Sequence, residues 1–204
     1  GFLRIGAMTR EVELEDSELI QSNYPILLDT AKMIADPQVR NLATLGGNLA
    51  HGDPANDHPA TMLALRAHVE ITGQGGKRTV PIDDFFPDFF TTVLEHGEIL
   101  TEIQIPIPPS NSGGTYLKIE RKVGDYAVAA VAAQVSLGAD GTFQQVGLGL
   151  TNVGPVPIRA VRSEDSLRGQ RPDEALYAQA GQLASEDADP GDDLRGSADY
   201  KRSL

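Results

Sequence analysis

Glu98-Ile99-Leu100-Thr101-Glu102-Ile103-Gln104-Ile105-Pro106-Ile107-Pro108-Pro109-Ser110-Asn111-Ser112-Gly113-Gly114 is the stretch that decides the fold. Its first half alternates apolar and polar residues, so Ile99, Thr101, Ile103 and Ile105 are expected on one face of a half-buried strand. Its second half has three prolines, two glycines and two serines between Pro106 and Gly114. Proline removes a backbone donor and glycine adds backbone freedom, so this half reads as a linker. The chain therefore divides into 1–108 and 109–204.

Upstream of the linker, Phe2 to Met8 reads as a short strand. Thr9, followed by Glu11 and Glu13, reads as a helix start with acids toward the positive end of the helix dipole. Pro25 suits a first helical position, and Ile26, Leu27, Ala31 and Ile34 recur at the spacing of one buried stripe, ending before Pro37. A helix is expected over 60–67, with Asp57 and Pro59 at its start. His68 to Thr72 and Arg78 to Pro81 flank Gly73-Gln74-Gly75-Gly76, which predicts a hairpin. Downstream, 115–122, 126–137 and 142–150 read as antiparallel strands, the last two joined by Gly138-Ala139-Asp140-Gly141. Helices follow around 160–167 and 173–184, and then an acidic, solvated stretch over 186–193. Segregated strands and helices give an α+β fold class.

Composition narrows the function. The 29 acidic residues exceed the 17 basic ones, for a net charge of −12, so the field repels nucleic acid and anionic membrane. There is no cysteine, so no disulfide forms and no iron–sulfur cluster is held by this chain's own thiolates. A redox role must use an organic cofactor. The opening residues lack a basic flank and a long apolar core, and no apolar run reaches membrane-spanning length, which makes the cytoplasm the expected location. The chain opens without Met on what reads as a strand already under way, as a piece of a longer protein would.

Thr44-Leu45-Gly46-Gly47-Asn48 is the most informative local motif. Two glycines without Cβ let backbone amides approach an anion, and Thr44 and Asn48 add side-chain donors, an arrangement suited to a pyrophosphate. Taken alone, such a pair more often means a tight turn that binds nothing. The next run, His51-Gly52-Asp53-Pro54-Ala55-Asn56-Asp57-His58-Pro59, is dense in polar groups. Asp57 reads either as an acceptor for sugar or ribityl hydroxyls or as a helix cap. His51, Asp53, Asp57 and His58 are ligand types without a metal-ligand spacing, so no metal is assigned. Lys118 and Lys122 share one strand face and Arg121 the other. They read either as a charge beside a reduced flavin or as a solvated basic edge that discourages aggregation. No nucleophile elbow or catalytic triad is present, and no catalytic residue is assigned.

Taken together, five stretches resemble the FAD-binding medium subunit of the molybdenum hydroxylase (xanthine dehydrogenase) family, especially the aerobic carbon monoxide dehydrogenase type. They are 36–41 leading into 44–48; 51–59; 97–103; 150–155, which reads Leu-Thr-Asn-Val-Gly-Pro; and 193–201. The resemblance implies the second lobe of a two-lobed FAD-binding domain over 1–108 and that family's C-terminal domain over 109–204. It implies FAD contacts at Thr44, Leu45, Gly46, Gly47, Asn48 and Asp57, with Leu100 and Lys118 lining the flavin. It also implies an earlier Ala-Gly-Gly-x-Ser loop in a first lobe, whose context neither Gly75-Gly76 nor Gly113-Gly114 has.

The activity implied is electron relay from iron–sulfur clusters through FAD to an external acceptor such as quinone. The partners implied are a small iron–sulfur subunit and a large molybdenum-binding subunit, joined as a dimer of heterotrimers. Loose association with the inner face of the cytoplasmic membrane follows from a quinone acceptor. A xanthine-, aldehyde- or nicotinate-oxidising relative, or a cofactor-free assembly fragment, are the alternative readings.

Overall fold

The computed structural model describes residues 1–204. The elements in chain order are β1 Phe2–Gly6, α1 Glu11–Asp16, α2 Glu18–Asn23, α3 Pro25–Met33, α4 Pro37–Arg40, α5 Leu45–His51, α6 Asp57–Ala64, β2 His68–Gly73, β3 Gly76–Pro81 and β4 Ile99–Pro106. After 107–111 come β5 Ser112–Ile119, β6 Ala129–Leu137, β7 Phe143–Thr151, β8 Ile158–Arg159, α7 Val161–Leu167, α8 Glu174–Asp187 and α9 Ala198–Ser203. Two four-stranded antiparallel sheets result, ordered β1-β4-β2-β3 and β5-β6-β7-β8. The architecture is the α+β one expected.

Three local features depart from the sequence reading. Thr44 is the N-cap of a helix, so Gly46 and Gly47 lie in its first turn rather than in a strand-to-turn break. Helix α6 begins at Asp57 as expected, but Asn56 holds the cap position and the helix ends at Ala64, three residues short of 67. In β4 the expected single face of Ile99, Thr101, Ile103 and Ile105 is broken by a bulge. Glu70 pairs with Glu102 but Ile71 with Leu100, so Thr101 is the extra residue, and its hydroxyl donates to Glu70 O at 3.2 Å. The bulge inverts the phase, burying Leu100 with Ile103 and Ile105 and leaving Ile99 exposed.

Helix α6 is the centre of the molecule, and all of its residues are buried. It crosses α3, where the Thr30 and Thr61 hydroxyls meet at 2.7 Å, and on its other side it lies on β7. Gly147 and Gly149 make that seat: a Cβ at either would run into the backbone carbonyl of Ala64 or Ala60. Only glycine lets the helix backbone approach the strand this closely.

The linker 107–111 is therefore a boundary in sequence and not in packing. One apolar cluster of 28 residues joins Ile5, Leu27, Met62 and Ile103 to Tyr116, Ala127, Ala130 and Ala132 from beyond it. Two smaller clusters lie under α7 and α8, around Ala160 and around Phe143.

Candidate cofactor site

The Thr44 turn is held by its own chain. Leu45 N–H donates to Thr9 O at 3.0 Å, Gly46 N–H to Ala7 O at 2.9 Å, and Gly47 N–H to Thr44 Oγ1 at 3.1 Å. The expectation of two bare glycine amides is corrected accordingly. Gly46 is buried, and a Cβ there would lie 2.7 Å from Ala7 O, so this glycine serves packing against the end of β1. Gly47 differs. It is exposed, and an added Cβ would meet only the Thr44 hydroxyl, at 2.8 Å. With its lone pair capping Gly47, the Thr44 hydroxyl keeps its proton for an outside acceptor. Asn48 Oδ1 is shielded from solvent and has no hydrogen-bond partner, while the Asn48 backbone carbonyl accepts from Asn56 Nδ2 at 2.7 Å. An orphaned shielded oxygen beside an exposed glycine at a helix start fits a polar ligand edge.

Asp57 lies behind that turn, but it is not the outward-facing acceptor that a loop position suggested. Its Oδ1 accepts from Tyr116 OH at 2.6 Å and its Oδ2 from Lys118 Nζ at 3.2 Å, with the carboxylate side chain only 8% exposed. Burial raises its pKa above the usual carboxylate value, and the Lys118 charge and the Tyr116 hydroxyl pull against that rise. Tyr116 is itself pushed well up, first by burial and then by the Asp57 charge.

Lys118 is fully buried, which excludes the solvated-edge reading. Its ammonium donates to Met33 O at 2.7 Å and Asp125 O at 3.0 Å, and Glu120 lies 3.3 Å away. Four oxygens from four segments thus compensate one desolvated cation. Leu100 is a buried core side chain of the same cluster as Leu45.

Of the residues singled out from sequence, the structure joins Asp57 to Lys118 directly. It seats Leu45 and Leu100 in one core and puts Thr44, Gly47 and Asn48 on the accessible side. The four ligand-type residues of 51–59 disperse. His58 Nε2 and Glu11 Oε2 are 2.7 Å apart and fully buried, His51 Nδ1 lies 3.2 Å from Asn56 Nδ2, and Asp53 caps Ala55 N–H at 2.9 Å.

Sequence reasoning missed three residues. Tyr116 was one tyrosine in a predicted strand, and Glu11 was only a helix-dipole acid. Asn152 adopts φ 58°, accepts no strain that Asn cannot bear, and ties the loops together: its N–H donates to Pro54 O at 2.9 Å and its Nδ2 to Ala127 O at 2.7 Å. An Asn directly after a strand was the available signal for it.

Residues 1–108 match the family described as FAD binding domain in molybdopterin dehydrogenase, and residues 114–204 match the CO dehydrogenase flavoprotein C-terminal domain. The carbon monoxide dehydrogenase medium chain of Hydrogenophaga pseudoflava is 42% identical over 200 residues, spanning 98% of this chain and 69% of that one. The chain belongs to the FAD-binding medium-chain family of the molybdenum hydroxylases.

Solved structures of this family superpose closely. The Hydrogenophaga pseudoflava carbon monoxide dehydrogenase lacking the Mo-pyranopterin moiety gives a TM-score of 0.95 at 42% identity, covering all of this chain and 72% of that chain. Quinoline 2-oxidoreductase from Pseudomonas putida 86 gives 0.91 at 34% identity, covering all of this chain and 70% of that chain. The medium-chain fold thus serves enzymes named for different substrates, so it marks the flavin subunit and not the substrate.

Proposed function

We propose that this medium chain is the flavin-carrying subunit of an oxidoreductase of the carbon monoxide dehydrogenase type. What supports the reading is the family membership of both halves, together with an accessible Thr44–Asn48 turn that keeps an exposed glycine, a hydroxyl proton and an orphaned oxygen side by side. When bound, FAD supplies the chemistry of accepting electrons from a one-electron donor and passing them on.

The chain's own residues bind and shape. Thr44 would donate its hydroxyl proton to a diphosphate oxygen, and Gly47, its own amide already capped, would leave space for that group. Asn48, half-buried beside Gly47, would complete the polar edge of the turn. Leu45 and Leu100 form the apolar floor, and the Asp57–Lys118 pair holds a neutralised charge beneath it. A partner of the small iron–sulfur kind supplies electrons and one of the large molybdenum kind oxidises the substrate, in a dimer of heterotrimers. The acceptor is a quinone met at the inner face of the cytoplasmic membrane, approached from the cytoplasm. No helix here is long and apolar enough to cross a membrane, so such contact would be peripheral for this chain.

The test is to purify the chain, add FAD, remove the unbound fraction by gel filtration and record the visible spectrum. Retained flavin absorbance is expected. A colourless protein would remove flavin carriage from these residues alone and favour the assembly-fragment reading. Copurification with a cluster-bearing small chain and a molybdenum chain checks the partners, and the substrate oxidised by that complex decides between carbon monoxide and a xanthine-type compound.

A further inference from the structure

A cleft of about 350 Å³ opens at the far end of α6 from Asp57, where the linker passes between the two lobes. The helix is eight residues long, so roughly 12 Å of rise separates the cleft from the cofactor site. Its 14 lining residues include Arg66, paired with Glu164, and Arg168, paired with Asp165, and no Asp or Glu belongs to the lining itself. Glutamines 134, 144 and 145 and Ser112 complete its polar wall, and Ile107, Pro108 and Val146 its apolar one.

Arg66 is held in an unusual way. It follows α6 with φ 56°, a left-handed conformation that non-glycine residues adopt at a cost. One guanidinium nitrogen, Nη2, donates to Glu164 Oε2 at 2.6 Å and to Val146 O at 3.2 Å. The other, Nη1, is shielded from solvent and has no acceptor. Ser112 Oγ is a second shielded polar atom without a partner. Glu164 is already satisfied from elsewhere, by Arg159 Nε at 3.2 Å and by Leu148 N–H at 2.9 Å. No carboxylate of the lining is available to the free guanidinium edge. A donor left without an acceptor is unfavourable, so an anion brought to this edge has a hydrogen bond to gain.

We propose that this inter-lobe cleft binds a small organic carboxylate, with its oxygens on Arg66 and its apolar body against Ile107, Pro108 and Val146. A carboxylate supplies the missing acceptor, and guanidinium recognises its planar oxygens better than an ammonium would. The apolar wall favours an organic anion over an inorganic one. The ligand touches α6 and the linker on one side and β5 to β7 on the other, a junction where small-molecule sites commonly form.

The experiment is a titration of the whole chain with benzoate, followed by two-dimensional amide NMR, alongside benzamide and inorganic phosphate. Saturable benzoate shifts at Arg66, Gln134 and Gln145, with benzamide at least tenfold weaker, are expected. Arg168→Gln, at a side chain 44% exposed, should weaken benzoate severalfold and leave the spectrum otherwise native. Arg66→Lys should abolish the shifts. If it also unfolds the chain, Ile107→Ser takes its place, with a severalfold weakening expected. Equal binding of benzamide, shifts mapping elsewhere, or an unaffected Ile107→Ser variant would overturn the proposal. So would phosphate binding there in preference to benzoate, which would make the site an inorganic-anion site.

Discussion

Tyr116 donates its phenolic proton to Asp57 Oδ1 at 2.6 Å, joining β5, the first strand beyond the linker, to the first residue of the central helix α6 before it. That bond and the Lys118 ion pair beside it tie the two sides of the linker together through buried polar contacts.

Removing either partner should be expensive. Tyr116→Phe takes one donor from Asp57 and should cost about 1–3 kcal/mol of folding stability. Lys118→Met leaves Asp57 as an uncompensated buried charge and should cost more, about 3–5 kcal/mol. Burial already raises the Asp57 pKa, and losing Lys118 raises it further. Protonation then relieves the penalty, so the Lys118→Met defect should shrink as pH falls toward the unfolded carboxylate value. Urea unfolding of both variants across acidic pH checks this, and a defect independent of pH would contradict it.

The adjacent glycines at 46 and 47 should behave oppositely. Gly46→Ala forces a Cβ against the Ala7 backbone and should destabilise the fold by about 1–3 kcal/mol, whether FAD is present or not. Gly47→Val enters open space beyond the Thr44 hydroxyl, so the fold should survive with a loss near 1 kcal/mol from the disturbed cap. FAD affinity of that variant should fall about tenfold or more, equivalent to ~1.4 kcal/mol. Equilibrium dialysis with FAD and thermal unfolding separate the two effects.

Acid should weaken the hairpin edge at a defined pH. Arg78 Nε and Nη2 grip Glu98 at 2.8 and 2.6 Å, and Glu95 N–H adds a third bond at 2.8 Å. The Arg78 hydrogen bond, then the Glu95 amide, hold the Glu98 carboxyl down to about 2 from its ordinary 4.5. A lowered folded pKa contributes stability that is complete above 4.5 and lost as pH falls toward 2. The stability gap between the native chain and Glu98→Gln should therefore close across that window, as read from urea midpoints. The pair is surface-accessible, so added salt should narrow the gap at neutral pH.

Much of this architecture was legible because local signals agreed with the global fold. Pro25 and the 26–34 stripe mark α3, Gly73 to Gly76 marks the first hairpin, and Gly138 to Gly141 turns β6 into β7. The Thr101 bulge was not legible, because an extra residue is defined only by the strand opposite. The glycine reading of the Thr44–Asn48 turn covers half of it. Gly47 is exposed with open space beside it, whereas Gly46 is required by Ala7, a neighbour 39 positions away that no local pattern reveals. The sequence left Lys118 open between a flavin-side charge and a solvated edge because charge alone does not disclose burial, and the oxygens that compensate it come from Met33, Asp57, Glu120 and Asp125.

Gly149→Ala tests the seat of the central helix. Its Cβ would meet the Ala60 carbonyl, which is backbone and cannot rotate away, so a loss of about 3 kcal/mol or more is expected. Gly113→Ala, on β5 of the same sheet with nothing near its Cβ, is the control and should change little. Similar midpoints for the two variants in thermal unfolding would show that the helix can ride higher on the sheet.

That glycine seat also constrains how the protein can change over time. Since α6 beds directly on β7 and one apolar cluster spans the linker, grafting residues 112–204 from a relative with a side chain at position 147 or 149 would lift the helix from its floor and part Asp57 from Tyr116. Inheritance should therefore favour both halves travelling together, and recombinants cut at the linker should regain their solubility only through compensating changes along the α6–β7 contact.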